Sequence, residues 1–283
     1  MRRTLSKKKE MTGIGLHKGR PCSITFMPAA DPTGIRFFAA GPSPSSEPSD
    51  PIEASLSSIA ATVRGTNLSN GSRTIYTVEH VLSACAGLGI DDLDIAMTGE
   101  EPPACDGSAL PFAKALMNAG ITDKPCQEKQ RLLLKGPIES SFEKACYRAS
   151  PSDSPYFKMT FTHPHKLIGS QIFEISLTPD TYMARVAPAR TFGFKDEISA
   201  LRAAGLALGG SLENSVIVDD NAFLSAEGRL RFPDELARHK LLDLIGDLAL
   251  TGLCLDRVSV EASFTSHKNN VNFAKLLIEQ CAS

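Results

Sequence analysis

The sequence lacks an excess of charge of either sign, a long hydrophobic run and any Cys-x-x-Cys pair. Its 283 residues include 30 lysines and arginines against 32 aspartates and glutamates, a formal net charge of −2. This balance argues against a protein that binds nucleic acid through a basic surface. Without an apolar run of about 20 residues, the sequence offers no candidate transmembrane helix.

The seven cysteines are odd in number and scattered along the chain. This usage fits reduced thiols better than a disulfide framework or a cysteine zinc site, so we expect a cytoplasmic protein. The basic start MRRTLSKKKE is not followed by the apolar segment of a secretory signal, although a short organellar transit segment stays open.

Strand-like and helix-like segments occur in both halves of the sequence, on either side of the polar, proline-broken stretch 122–130. In the second half we predict strands for RLLLKGPIE (131–139), YFKMTFTHP and QIFEISLT, and a terminal helix for VNFAKLLIEQ (271–280). This order predicts an α+β protein with two domains, residues 1–126 and 127–283.

Two further segments of the sequence carry local folding signals. Asn70-Gly71 between short β-like runs predicts a hairpin. Thr77 is a plausible N-cap for a helix over 78–89, which Gly87 and Gly89 would close.

The segment DELARHKLLDLIGDLALTG (234–252) predicts a buried helix that carries a ladder of polar residues. His239, Asp243 and Asp247 recur at positions i, i+4 and i+8, so they lie above one another on a single face. A histidine and an aspartate one turn apart can bind one metal ion. A solvated stripe, or a core histidine hydrogen-bonded to an aspartate, would give the same pattern.

Two other segments place a histidine beside groups that could take part in catalysis. In TVEH, Glu79 could act as a general base while His80 binds a metal, although Glu79 could equally balance the helix dipole. In FTSHKNN (264–270), His267 follows an alternating strand and precedes what reads as a polar turn. Nothing in the periodicity shows that these segments meet in space.

Several longer motifs carry a resemblance to a known family. They are TVEHVLSACAGLGIDDLDI, CDGSALPF, ARTFGF, GLALGGSLENSVIVDD and LRFPDELARHKLLDLIGDLALTG, together with TGIGLHKG and THPHKLIGSQ. Taken together, and in their order along the chain, these motifs resemble the UDP-3-O-acyl-N-acetylglucosamine deacetylases, the LpxC family of metal enzymes in lipid A biosynthesis. The resemblance implies two similar two-layer α/β-sandwich domains with the active site at their interface.

The resemblance also implies a role for each polar residue singled out above. His80, His239 and Asp243 would bind Zn²⁺, with Fe²⁺ possible on the same ligands, and Glu79 would be the general base. Thr191 and a cationic His267 would stabilise the oxyanion. Asp247 would lie beyond the metal ligands and hold His267 protonated.

Substrate contacts follow from the same resemblance. It implies substrate-binding roles for Leu16, Phe161, Phe192 and Lys240, and an insert at about 194–218 that forms a passage for the acyl chain. The expected partner is a nucleotide-sugar lipid, with no nucleic acid and no transmembrane segment, and the expected state is a monomer. Without the resemblance, Lys240 would be interpreted as a solvated lysine, and the insert as an ordinary packing helix.

The segment FTSHKNN departs from the family pattern. The family usually has a glycine before this histidine and a basic residue two positions upstream of that glycine, whereas this sequence has Ser266 and Phe264. A required glycine would point to an unusual backbone angle, and Lys268 could replace the basic residue.

Two rival hypotheses stay open. A related metal-dependent enzyme could act on a different N-acyl sugar, or a non-catalytic binding protein could retain the fold. The second hypothesis predicts loss of the set Glu79, His80, His239 and Asp243, and every member is present.

Overall fold

The structure is a computed structural model that describes residues 1–30, 32–39, 50–125 and 127–282. Within these residues the chain forms α-helices and several β-sheets, so the predicted α+β class is confirmed. The predicted domain boundary falls at Cys126, which lies outside the described residues, and stays a prediction. No helix among the described residues is long and apolar enough to cross a membrane.

The strands fall into a group before residue 124 and a group after residue 137. The first group comprises β1 (Arg3–Leu5), β2 (Lys9–Ile14), β3 (Pro21–Pro28), β4 (Ile35–Ala39), β5 (Ile52–Glu53), β6 (Ile59–Ala61), β7 (Asn67–Ser69), β8 (Thr74–Ile75), β9 (Leu93–Met97) and β10 (Ile121–Asp123). The second comprises β11 (Ile138–Phe142), β12 (Ala145–Pro151), β13 (Tyr156–His163), β14 (Gly169–Ser176), β15 (Phe192–Phe194), β16 (Val216–Val218), β17 (Phe223–Leu224) and β18 (Val258–Ser263).

Within the described residues, six α-helices connect or flank these strands. They are α1 (Glu79–Leu88), α2 (Leu110–Asn118), α3 (Pro179–Arg185), α4 (Ile198–Ala203), α5 (Glu235–Ala249) and α6 (His267–Ala282).

Two five-stranded sheets of the same topology form the framework. Their strand orders are β2-β3-β9-β4-β5 and β11-β12-β18-β13-β14. In each sheet the central strand, β9 or β18, is antiparallel to one neighbour and parallel to the other. Each central strand also lies between two helices in sequence, α1 and α2 or α5 and α6. The two halves therefore repeat one arrangement of elements.

Alternating burial explains why the strands pack as they do. In β3, Cys22, Ile24 and Phe26 are buried while Ser23 and Thr25 between them are only partly so. This period of two places one apolar face of the sheet against the helices. The same alternation recurs in β9 and β18.

Helices α1 and α5 pack directly against each other, so the helix layers of the two halves meet. A glycine permits the contact, because a Cβ atom at Gly246 would lie only 2.1 Å from the carbonyl oxygen of Glu79. No side chain fits in that space. The start of α1 therefore lies against the middle of α5.

Some local predictions are confirmed. Asn70-Gly71 lies in the turn between the antiparallel strands β7 and β8. Gly89 closes α1 in the left-handed conformation, with φ +69°. The long helix predicted over 234–252 is α5, and the strands predicted over YFKMTFTHP and QIFEISLT are β13 and β14.

Other local predictions are wrong. Thr77 is not the N-cap of α1, because Val78 precedes the helix, Thr77 has φ +57°, and its hydroxyl donates to Glu101. The strand predicted over RLLLKGPIE begins only at Ile138. Helix α6 begins at His267 rather than after a polar turn.

Candidate metal centre

The first turn of α1 supplies two adjacent polar side chains to the site. Glu79 and His80 are the first two residues of the helix, and both are buried. An acidic residue is favourable at this end of a helix because the free backbone N–H groups carry positive partial charge. Contact with α5 explains their burial, since the start of α1 lies against Gly246.

The ladder on α5 faces this turn. His239 Nε2 lies 3.3 Å and His80 Nε2 lies 3.8 Å from the same oxygen of Asp243, Oδ1. The two imidazole rings are edge to face, with centroids 5.0 Å apart. One ligand atom from each of the three residues lies within 4.8 Å of the others. The two helices therefore bring together the three residues that the sequence analysis assigned to a metal.

The hydrogen bonds around this trio suit a bound cation. Asp243 Oδ1 is buried without a hydrogen-bond partner, whereas Oδ2 accepts from Lys240 Nζ at 2.7 Å. The Nδ1 atom of His239 lies 3.1 Å from the carbonyl oxygen of Ala189. That contact assigns the proton to Nδ1 and leaves the lone pair of Nε2 facing His80 and Asp243. A buried acceptor without a donor is costly, and a metal ion would remove the cost.

The electrostatics keep these three residues in the protonation states that metals bind. Burial, together with the neighbouring His239, lowers the pKa of His80 to about 3. Burial also lowers the pKa of His239. For Asp243, burial acts to raise the pKa, but His239 and Lys240 outweigh it and hold the pKa well below the ordinary value. Two neutral imidazoles and one carboxylate form a ligand set suited to Zn²⁺.

Glu79 lies beside the three ligands. Its Oε2 accepts a hydrogen bond from the backbone N–H of Thr66 at 2.9 Å, and its Oε1 lies 3.8 Å from His267 Nε2. Burial raises the pKa of Glu79 to about 7. A carboxyl group with that pKa can both accept and release a proton near neutral pH.

His267 lies against the carboxylate of Asp247. His267 Nδ1 lies 3.0 Å from Asp247 Oδ2, and Asp247 is completely buried. Burial alone would lower the pKa of His267, but the negative charges of Asp247 and Glu79 outweigh burial and raise it to about 9. The ring therefore carries a positive charge at neutral pH.

Glu79, His80, His239, Asp243 and His267 line a cavity of about 480 Å³. Residues of the segment 192–217 and of the first hairpin line it as well, and most of these are apolar, including Leu16, Phe194, Ile198, Leu201, Leu212 and Ile217. In that segment β15 pairs in parallel with β16, and α4 lies between them, so the segment forms a βαβ unit. The cavity thus combines the polar trio with a largely apolar lining from the insert, whose polar members are Glu197, Arg202, Ser211 and Ser215.

The remaining predicted site residues lie at or near this cavity. Thr191, Phe192, Lys240 and Leu16 line it. Phe161 is not among the described residues that line it, and instead its ring packs edge-on against Phe192 with centroids 5.4 Å apart. Phe161 would therefore reach a ligand only through, or beyond, Phe192.

The structure explains the departure at Ser266. Its hydroxyl accepts from the backbone N–H of Asn269, and its carbonyl accepts from that of Asn270, so Ser266 caps α6. The left-handed backbone conformation belongs to Phe264, with φ +51°, and not to Ser266. Serine is thus compatible with the position of His267. Lys268 points away from the cavity to Glu143, at 3.2 Å.

Sequence reasoning missed three residues that shape the site. Thr66 bonds both Glu79 and Asp247, and Gly246 allows α1 to reach α5. His17 lines the cavity and ties the first hairpin to the insert, because Ala207 N donates to its Nδ1 at 3.3 Å. Of these three residues, only Gly246 could have been found from the sequence, since a glycine inside a buried helix often marks a close approach of another backbone.

Comparisons with known proteins agree with this arrangement. The family model described as "LpxC: UDP-3-O-acyl N-acetylglycosamine deacetylase" matches residues 2–279. A UDP-3-O-acyl-N-acetylglucosamine deacetylase from Campylobacter hominis is 39% identical over 251 residues, which cover 88% of this chain and 82% of that protein. The protein of the same name from Anaeromyxobacter dehalogenans is 38% identical over 280 residues, 99% of this chain and 88% of its own length. The one from Campylobacter jejuni serotype O:2 is 37% identical over 277 residues, 98% and 90% of the two chains.

Proposed function

The chain belongs to the LpxC family of UDP-3-O-acyl-N-acetylglucosamine deacetylases, and from this premise we propose how its residues carry out the reaction. The enzyme hydrolyses the 2-acetamido group of UDP-3-O-acyl-N-acetylglucosamine, a step of lipid A biosynthesis, and releases acetate. The observation that carries the assignment of residues is the meeting of His80, His239 and Asp243 beside Glu79 and His267 in one cavity.

His80, His239 and Asp243 would hold the metal, for which we propose Zn²⁺, with Fe²⁺ as the alternative on the same ligands. The bound ion supplies Lewis acidity, which makes a water molecule more acidic and polarises a carbonyl group. Three protein ligands are typical of a catalytic zinc site, whereas structural sites usually have four.

Glu79 is the general base. Its Oε2 is fixed by the N–H of Thr66, so Oε1 is the oxygen that faces His267 and the cavity. As water attacks the acetyl carbonyl carbon, Glu79 takes up the proton of the water. Proton transfer by a positioned side chain typically contributes about 10²- to 10⁴-fold to the rate.

Positive and polar groups around the carbonyl stabilise the tetrahedral oxyanion. The imidazolium of His267 supplies a full charge, held in orientation by Asp247. Thr191 lines the same cavity, and its hydroxyl would donate to the oxyanion. Collapse of the oxyanion breaks the C–N bond and gives acetate and the free 2-amino group. The proton for the departing nitrogen comes from Glu79 or from His267.

The apolar part of the cavity is the proposed site of the acyl chain. Leu16 and Phe192 would contact the chain or the sugar near the metal, and the insert at about 194–218 would enclose the rest. Lys240, beside His239 on α5, would contact the polar part of the substrate. Phe161 would support the ring of Phe192. We further expect a cytoplasmic monomer, which sedimentation and cell fractionation would check.

Acetate release from UDP-3-O-acyl-N-acetylglucosamine by the purified protein tests this function. We expect release that is lost on chelation and restored by Zn²⁺, and elemental analysis of protein purified with and without oxygen would separate zinc from iron. Release that survives complete removal of metal would contradict the proposed metal role. A protein that binds one metal but releases no acetate would favour a different N-acyl sugar as substrate.

A further inference from the structure

Thr66 contacts both Glu79 and Asp247 but does not itself line the cavity. It is completely buried just before β7, and its backbone N–H donates to Glu79 Oε2 at 2.9 Å. Its carbonyl accepts from the N–H of Val78 at the start of α1. Its hydroxyl donates to Asp247 Oδ1. One residue thereby joins the segment before β7 to both α1 and α5.

The hydroxyl of Thr66 completes the set of donors around Asp247. The second oxygen, Oδ2, faces His267 Nδ1 at 3.0 Å and accepts from Asn270 Nδ2 at 2.8 Å. Asn270 is itself buried, and its Oδ1 accepts from the hydroxyl of Tyr147 at 2.7 Å. Three donors from two separate segments therefore fix the plane of one carboxylate. An ionised carboxylate only accepts hydrogen bonds, so the Thr66 hydroxyl must be the donor.

We propose that Thr66 is a positioning residue, whose hydroxyl holds the Asp247 carboxylate in the orientation that aims His267 at the reacting carbonyl. This inference rests on the proposed function of His267. Threonine suits the position because its branched side chain has few rotamers and therefore keeps the hydroxyl in one direction. Its backbone N–H holds Glu79 as well, so the base and the imidazolium are fixed from one point of the chain.

Removal of the hydroxyl should affect the chemical step and not substrate binding. Without Thr66 Oγ1, Asp247 Oδ1 is a buried carboxylate oxygen that has lost its donor, which favours rotation of the carboxylate. Rotation would move the acceptor of His267 Nδ1. A small misplacement of a catalytic group can lower a rate by about 100-fold. The cavity lining is unchanged, because Thr66 is not part of it.

The test combines three substitutions with kinetics and spectroscopy on the metal-loaded enzyme. Thr66→Val and Thr66→Ala remove the hydroxyl, and Thr66→Ser keeps it. We expect both removals to lower kcat by about 10- to 100-fold with KM within about twofold and metal content unchanged. We expect Thr66→Ser to restore most of kcat. Thr4→Val is the matched control, because Thr4 is also buried and its hydroxyl accepts from the backbone N–H of Ala29, and neither residue lines the cavity.

A double-mutant cycle gives the sharper result. If Thr66 acts through His267, Thr66→Val should have little further effect on kcat in a His267→Ala background. Equal losses in the two backgrounds would overturn the proposal, as would wild-type kcat in Thr66→Val or a Thr66→Ser variant as slow as Thr66→Val.

A measurement without substrate separates this proposal from the proposed function. In ¹⁵N-histidine-labelled protein the Nδ1 signal of His267, assigned by its loss in His267→Ala, should shift in Thr66→Val and return in Thr66→Ser. An unchanged signal would overturn the positioning role even if acetate release is normal. Absent acetate release with the expected shift would reject the reaction and leave the hydrogen-bond chain supported.

Discussion

Helix α1 of the first half and helix α5 of the second occupy the same place in two matching sheets, yet they present their polar residues differently. In α1 the two site residues are adjacent and lie in the first turn, Glu79 and His80. In α5 the site residues are one turn apart along the middle of the helix, from His239 to Asp247. The difference follows from how the helices meet, since the start of α1 lies against the middle of α5 at Gly246.

The connections from the two central strands to the helices that follow them also differ between the halves. Between β18 and α6 the chain has only three residues, so His267 begins α6 close to the end of the central strand. Between β9 and α2 it has twelve, residues 98–109, and this longer connection contacts the insert region instead. There Gly107 O accepts from Thr191 N at 2.8 Å. The two halves thus share one sheet topology, and the different lengths of their connections determine where the site residues lie.

Loss of a ligand from α5 should have the largest effect. His239→Ala removes one of the three proposed metal ligands, so we expect loss of bound metal and of activity together. Elemental analysis and acetate release check this, with His165→Ala as the control because His165 lies outside the trio. Retention of one metal per chain in His239→Ala would contradict the ligand assignment.

A substitution in the first turn of α1 should affect the rate of the reaction without affecting metal binding. Glu79→Gln keeps the size of the side chain but removes the proposed base, so we expect kcat to fall by about 10²- to 10⁴-fold with metal content intact. Glu10→Gln, at an exposed glutamate on β2, is the control. Near wild-type turnover in Glu79→Gln would remove Glu79 from the role of base.

The pH dependence should reveal one group from each half. The base must be deprotonated and His267 must be protonated, so kcat/KM should rise as the pH passes the pKa of Glu79, about 7, and fall as it passes that of His267, about 9. Rate profiles of the wild type and of His267→Gln check this assignment. If the alkaline fall persists in His267→Gln, another group is responsible for it.

Closing the gap between α1 and α5 should cost stability. A methyl group at Gly246 would lie 2.1 Å from Glu79 O, so Gly246→Ala forces the helices apart. We expect a loss of about 1–3 kcal/mol in the free energy of unfolding, measured by denaturant titration, with a fall in kcat. Gly136→Ala, where nothing lies within 4 Å of the added Cβ, should stay within about 1 kcal/mol. Equal stability in both variants would mean that the contact is not tight.

The smallest effect is expected at the start of α6. Lys268 pairs with Glu143 at 3.2 Å, and both side chains are exposed. Lys268→Ala should therefore change stability by less than about 1 kcal/mol and leave KM near that of the control Lys275→Ala. A selective increase in KM would restore Lys268 as the replacement for the basic residue that Phe264 displaces.

The sequence predicted local structure correctly where the residue pattern has a single physical cause within the segment. The helix at α5 follows from its apolar periodicity, and the hairpin at Asn70-Gly71 follows from the backbone that this pair adopts. Thr77 failed as an N-cap because Glu101, distant in sequence, takes its hydroxyl. The strand predicted at RLLLKGPIE failed because pairing to β12 begins only at Ile138. In both cases a partner outside the segment itself decides the outcome.

The sequence by itself determined the fold class, the spacing of the α5 ladder and the family, since periodicity and long motifs are local properties of the chain. Tertiary structure alone decided that His80 and His239 share one oxygen of Asp243, and that Thr66 joins Glu79 to Asp247. These contacts depend on two packed helix layers and on a glycine that lets them approach. Distances between residues more than a hundred positions apart are set by packing, and packing is a property of the whole chain.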